Sequence, residues 1–268
     1  MKRPGLFLRD RYVTVSYEPE FPDLPDAFDG FTAVFLSDLH GKTFGQDNET
    51  LVRDVIEADP DAVFIGGDMT VVRKKTVRGT EALNGLLSGI RDRFPVYYAE
   101  GNHEHRMADR FREEWMAALL RNHVKLLSNE TAEIRRGNDS IRIAGVTLPE
   151  SCFRKFRKAP LGKEWFRETL GSKEGFTVFL LHSPSYFDEA ADYGAELVLS
   201  GHYHGGTIRI GGRGLMTPDF VFFERRVQGL FERKGKKLIV SAGLGTHSIN
   251  LRVNDPPELV KITLRKTK

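Results

Sequence analysis

The chain has 268 residues, 40% hydrophobic and 29% charged, a balance that excludes a wholly disordered or fibrous protein. Subtracting 37 acids from 40 bases leaves +3, too small an excess to point to nucleic acid, and the single cysteine, Cys152, excludes a disulfide framework or a cysteine-built zinc ribbon. No apolar run approaches the roughly 18–20 residues a spanning helix needs, and the short stretch 6–8 is cut off by Arg9 and Asp10, so a soluble protein of a reducing compartment is expected. In chain order, a lead-in over 1–30 with Pro19, Pro22 and Pro25 cannot be a regular helix and is expected to pack on the domain that follows. A strand is predicted at 31–37, then a helix over 48–58 with Leu51, Val52, Val55 and Ile56 on one face, stopped by Asp59-Pro60. Strands at 62–65 and 95–99 flank a helix near 80–90, and a long amphipathic helix covers 108–121. Further strands are predicted at 134–135, 141–146, 177–181, 196–199, 238–241 and 259–263. The alternation is that of an α/β protein, and without a repeat or long linker one domain over 1–268 is expected.

Five polar clusters each lie just after an apolar strand: Asp38-Leu39-His40, Gly67-Asp68, Gly101-Asn102-His103-Glu104, His182 and Gly201-His202-Tyr203-His204. Five of the eight histidines fall in them. Ligands of open α/β sheets gather at the carboxyl ends of strands, so these clusters are expected to share one crevice. In extended backbone residues i and i+2 point the same way, which would aim Asp38 with His40 and His202 with His204 at one place. One such cluster alone more often reflects turn chemistry, and a strand-end Asp more often caps a helix. Five in order are harder to set aside. Carboxylate, imidazole and amide donors without thiolate suit Mn, Fe, Zn or Mg-like ions. Two Asp, one Asn and four His are too many for one tetrahedral ion but can fill two spheres about 3.5–4 Å apart.

DLH at 38–40, GGD at 66–68, GNHE at 101–104, LLHSP at 180–184 and SGHYHGG at 200–206 together resemble the calcineurin-like metallophosphoesterases. LPDAFDGF at 24–31, GLG at 243–245 and NDPPELV at 254–260 are similar to the bacterial membrane-associated phosphodiesterase branch. The resemblance implies an α/β/β/α sandwich of two mixed sheets. It implies a first metal on Asp38, His40 and His204, a bridging Asp68, and a second metal on Asn102, His182 and His202. His103 becomes the non-ligand histidine that protonates the leaving oxygen or stabilises charge on the phosphoryl group, a role that suits an imidazole titrating near ambient pH. Two divalent or mixed-valence ions (Mn, Zn or Fe) and hydrolysis of a phosphodiester or pyrophosphate by metal-bound hydroxide follow from the same resemblance. The Asp-Arg-Gly that protein phosphatases of this superfamily carry after Gly-Asp is missing, since Asp68 is followed by Met69-Thr70-Val71-Val72-Arg73.

Segment 205–237 holds eight bases against three acids, interleaved with Phe220, Phe222, Phe223 and Phe231. One reading is a strand pair with a solvated basic hairpin; the other is a flap whose apolar side meets acyl chains and whose bases meet anionic head groups. Arg225, Arg226, Phe222, Phe223 and, after the glycine turn, His247 are the candidate substrate contacts. Segment 151–158, with Phe153 and Phe156 among Arg154, Lys155, Arg157 and Lys158, repeats the pattern. The favoured substrate is accordingly an amphipathic lipid such as UDP-2,3-diacylglucosamine, handled by a cytoplasmic protein peripheral on an anionic inner membrane face. A soluble cyclic-nucleotide or general phosphodiesterase and a non-catalytic adaptor are the rivals; no nucleic-acid partner is expected. His105 and His123 are expected on the surface, GLGTHS at 243–248 is not a dinucleotide loop, and Cys152 is expected to be inert.

Overall fold

Runs of β-branched and aromatic residues too long to be solvated on either face become the centre of this molecule. A computed structural model describes residues 11–73, 76–155, 158–206, 208–246 and 252–267. In chain order its main strands are β1 (Val13–Tyr17), β2 (Thr32–Leu36), β3 (Ala62–Ile65), β4 (Val96–Tyr98), β5 (Val124–Leu126) and β6 (Glu130–Arg136). They continue with β7 (Asp139–Val146), β8 (Phe176–Leu181), β9 (Leu197–Ser200), β10 (Gly229–Arg233), β11 (Lys236–Val240) and β12 (Glu258–Thr263). The first sheet has the order β1-β12-β2-β3-β4-β5, parallel except where β12 runs against β2. The second has the order β10-β11-β9-β8-β7-β6, parallel at its centre with antiparallel edges.

The sheets pack face to face through Phe35, Phe64 and Val260 against Ile143, Val178, Leu199 and Ile239. Helices α1 (Glu49–Glu57), α2 (Thr80–Ile90) and α3 (Asp109–Arg121) cover the outer face of the first sheet, placing Leu51, Leu83, Leu87 and Trp115 on Val34, Leu36 and Val63. Helices α4 (Lys163–Leu170) and α5 (Phe187–Tyr193) cover the second, placing Phe166, Phe187 and Ala190 on Phe179, Leu181 and Val198. The result is the α/β/β/α sandwich of two mixed sheets that the motifs imply. From the lead-in, Phe21, Leu24 and Phe28 are buried in the inter-sheet core, Phe21 edge-on to Phe176 at 5.0 Å.

Several elements differ from expectation. Helices α4 and α5 are eight and seven residues long, too short for periodicity to declare them, and α5 buries Phe187, Ala190, Ala191 and Tyr193. The expected strand at 134–135 extends to Glu130–Arg136, because β7 offers it an antiparallel ladder from Arg136 to Glu130 despite its charges. Strand β1, not expected, exists as the edge partner of β12. Between β9 and β10, Arg209–Ile210, Arg213–Met216 and Phe222–Glu224 form a small three-stranded sheet, the flap. His105 and His123 are exposed, the latter in left-handed backbone just after α3, and Cys152 is buried and unpaired. His247, Phe156, Arg157 and the stretch 6–8 lie outside the described residues. Among the described residues no helix is long and apolar enough to cross a membrane.

Phe35 is fully buried, and its ring fills the space that a Cβ on Gly66 would need. Phe35→Ala should lower unfolding free energy by about 3–5 kcal/mol, measured by urea denaturation.

Candidate metal centre

Each candidate ligand, and the non-ligand His103, sits at the carboxyl end of a parallel strand: Asp38 and His40 after β2, Asp68 after β3, Asn102 and His103 after β4, His182 after β8, His202 and His204 after β9. Both sheets therefore feed one site. The pairs do not converge through extended backbone, as the i, i+2 spacing suggests. Asp38, His40, Asp68, His202 and His204 all have positive φ, between 46° and 66°. Left-handed turns fold each pair inward, a conformation costly for side-chain-bearing residues and typical of functional sites. The turns interlock: a Cβ on Gly67 would lie 2.2 Å from the backbone nitrogen of Gly101, and one on Gly101 would lie 2.2 Å from Asp68 Oδ1.

The ligand atoms fall into overlapping groups. Asp38, His40 and His204 offer atoms within 4.8 Å of one another, as do His40, Asp68 and His103, and again Asp68, His182 and His202. His40 Nε2 and His204 Nε2 face each other at 3.0 Å, their rings stacked, with Asp38 Oδ1 3.3 Å from the latter. His182 Nε2 is 3.2 Å from Asp68 Oδ2, an ion-pair distance without hydrogen-bond alignment, and 4.0 Å from Asp38 Oδ1. Asp68 is thus shared between two adjacent clusters. Its Oδ1 accepts the backbone N–H of His103 at 2.8 Å.

Burial pushes the Asp38 carboxyl up, and the charge of Asp68 adds to this against the pull of His182. Burial acts the same way on Asp68, but the imidazoles, His182 foremost, hold it well below the usual carboxylate range. Burial alone would lower His182; the charges of Asp68 and then Asp38 lift it to about 10.

A second ring of contacts fixes these groups. Glu104, in the GNHE cluster but without an expected role, is fully buried and accepts the backbone N–H groups of Asp68 (2.7 Å), Met69, Thr70 and Gly101, with the hydroxyls of Thr70 and Tyr98. It moulds the turn that presents Asp68. Asp38 Oδ2 accepts from Ser37 Oγ at 2.5 Å and the His202 N–H at 3.0 Å. His182 donates Nδ1–H to the Gly66 carbonyl at 2.7 Å, leaving Nε2 for a cation. His202 Nε2 lies 3.0 Å from Asp219 Oδ1, a contact that the sequence pattern did not signal. Val72 N–H donates to His103 Nδ1 at 2.9 Å, so a neutral His103 carries its proton on Nε2.

This donor set fits a pair of cations. It is oxygen and imidazole nitrogen without sulfur, it faces two buried carboxylates, and Asn102 Oδ1 is buried with no hydrogen-bond partner among the described residues. Phe153 walls the site, its ring 5.2 Å from that of His202.

The expected substrate contacts lie farther out. Phe222 and Phe223 are 57% and 55% exposed on the flap, and Arg225 is exposed beside them. Arg226 pairs with Asp188 at 2.9 Å and lines a cavity of about 590 Å³ with Lys158, Ser185, Tyr203, Asp219, Phe220 and Val221. The strong basic polarity inferred for 205–237 is reduced, because Arg226, Arg233, Lys236 and Lys237 pair with Asp188, Asp192, Glu196 and Glu232. The two basic-aromatic segments touch: Lys155 lies 4.6 Å from the Phe220 ring centre.

A family model described as calcineurin-like phosphoesterase matches residues 31–206. The transmembrane protein with metallophosphoesterase domain of Danio rerio is 30% identical over 266 residues, covering 94% of this chain and 57% of its own length, so the chain spans little more than half of that relative. The uncharacterized metallophosphoesterase YkuE of Bacillus subtilis (strain 168) is 27% identical over 251 residues, covering 91% of this chain and 82% of its own. Phosphodiesterase YaeI of Escherichia coli (strain K12) is 25% identical over 242 residues, covering 87% and 82%.

Cations that bind the folded centre should stabilise it. With Mn²⁺ at 100 times its dissociation constant, each site should add about 2.7 kcal/mol over chelator-treated protein in urea denaturation, and Asp68→Ala should abolish most of the gain.

Proposed function

The chain belongs to the calcineurin-like phosphoesterase family, and we propose that it is a metal-dependent hydrolase that cleaves a phosphodiester or pyrophosphate bond at a binuclear centre. Asp38, His40 and His204 would hold the first ion, Asn102, His182 and His202 the second, and Asp68 would be available to both. The observation that carries this reading is the position of Asp68, common to the cluster with His40 and the cluster with His182 and His202. When bound, two such ions supply Lewis-acid polarisation of the phosphoryl group and acidify an attacking water.

The protein's own groups supply the rest. His103 presents an Nε2–H fixed by the Val72 N–H on its other nitrogen. That proton is placed to hydrogen-bond a phosphoryl oxygen or pass to the leaving oxygen, a contribution of about 10²–10⁴-fold. Phe153 packs edge-on against the His202 ring and gives that side of the centre an apolar wall. The cavity beyond Asp219 offers room for the ester's organic group, and its charged walls are internally paired through Lys158 with Asp219 and Arg226 with Asp188. A neutral organic substituent suits such walls better than a second phosphate, which favours a diester over a pyrophosphate.

An amphipathic substrate at an anionic inner membrane face is supported by the exposed Phe222 and Phe223 beside Arg225. UDP-2,3-diacylglucosamine itself gains no support, either from this geometry or from the relatives. A soluble diesterase is favoured instead if hydrolysis of bis-p-nitrophenyl phosphate ignores detergent micelles and Phe222→Ser with Phe223→Ser leaves it unchanged. The adaptor reading weakens because six of the seven expected ligands, all but Asn102, fall in the buried His–Asp clusters.

In metal-reconstituted assays with bis-p-nitrophenyl phosphate, His103→Ala should retain both ions and lose about 10²–10⁴ in kcat. Asp68→Ala should lose metal as well as turnover. Equal, full metal contents in both variants would overturn the bridging role of Asp68 and its contrast with His103.

A further inference from the structure

Asp219 stands apart from the expected ligands. It is borne on the flap and 3% exposed, yet it reaches His202. Its turn is closed from both ends: Thr217 N–H donates to Val221 O at 2.9 Å, and Phe220 N–H donates to Thr217 O at 2.9 Å. One carboxylate oxygen faces His202 Nε2 at 3.0 Å and the other faces Lys158 Nζ at 2.7 Å. Lys158 is itself pinned: it forms an ion pair with Asp219 Oδ2 and donates to Tyr203 OH at 2.9 Å and to Ser185 Oγ. Those partners come from the flap, from the residue between His202 and His204, and from the turn after His182.

A carboxylate only accepts, so the His202 proton sits on Nε2 and the nitrogen left for a cation is Nδ1. We infer that Asp219 is a positioning residue that fixes His202 for the second cation and thereby makes occupancy of that site depend on an ordered flap. Resting on the binuclear reading above, this adds a link between the surface where substrate would arrive and one half of the centre. Outer partners of this kind change metal affinity by about 10–100-fold when removed. An acid serving only to anchor the flap would leave metal affinity alone.

The test is Mn²⁺ titration of chelator-treated protein, followed by calorimetry and by electron paramagnetic resonance, which separates single ions from an exchange-coupled pair. Asp219→Ala should weaken the second Mn²⁺ by about 10–100-fold with the first within twofold, so that the coupled signal appears only at higher Mn²⁺. Asp219→Asn, which keeps an acceptor but loses the charge, should fall between Asp219→Ala and the parent, and serves as the deciding variant if Asp219→Ala does not fold. Ile210→Ser, an exposed flap change, should leave both affinities at the parental value. The inference is overturned if Asp219→Asn and any folded Asp219→Ala bind both ions like the parent, or if Ile210→Ser weakens the second ion as much. A parent that binds one ion or none overturns the binuclear reading, and this inference falls with it.

Discussion

Two carboxylates, Asp38 and Asp68, buried where the strand ends of both sheets meet, set the terms for everything around them. Removing an ionised carboxylate from water costs several kcal/mol unless compensating charge and donors are held close by. Five imidazoles, backbone N–H groups and the Ser37 hydroxyl surround these two. The surrounding fold holds those partners in place. Five residues are kept in left-handed backbone, glycines clear the crossing points, and Glu104 gathers six donors from the turns beside Asp68. Such strain persists only where packing over-determines it, and Phe35 pressed on Gly66 is one such restraint.

Much of this was legible in the residues themselves. Metal-ligand chemistry restricts which side chains can serve, so Asp, His and Asn at successive strand ends declare themselves without any knowledge of distance. The buried strands were legible for a related reason: β2, β3 and β8 are nearly continuous apolar runs, which have no stable alternative to a central sheet position. The backbone route was not legible. The same D-x-H and H-x-H spacings suit an extended strand and a left-handed turn, and only the surrounding contacts choose between them.

Other gaps come from partners distant in sequence. Asp219 lies 17 residues from His202, on a strand connection with no pattern of its own, and its one signal was being an acid in a basic stretch. The charge of 205–237 misled for the opposite reason. A window counts only its own acids, whereas Arg226, Arg233 and Lys236 find Asp188, Asp192 and Glu196 on and beside α5, itself too short to be read. What remains exposed on the flap is chiefly aromatic, Phe222 and Phe223, and that shifts the emphasis from anion capture to apolar contact.

Three histidines at the centre differ only in the far side of the ring, and that difference sorts their roles. His182 and His202 each have an acceptor there, the Gly66 carbonyl and the Asp219 carboxylate, so the remaining nitrogen of each, once deprotonated, is the one that would offer a lone pair to a cation beside the buried carboxylates. His103 has a donor there, the Val72 N–H, so its neutral ring must turn a proton inward instead. A ring with a fixed inward proton cannot bind a cation through that nitrogen but can give a hydrogen bond to an oxygen of the substrate. The proposed division between ligand and proton-bearing histidine thus rests on whether the neighbouring main-chain or side-chain group gives or takes a hydrogen. In this chain the main chain of Val72 is the group that fixes the His103 ring.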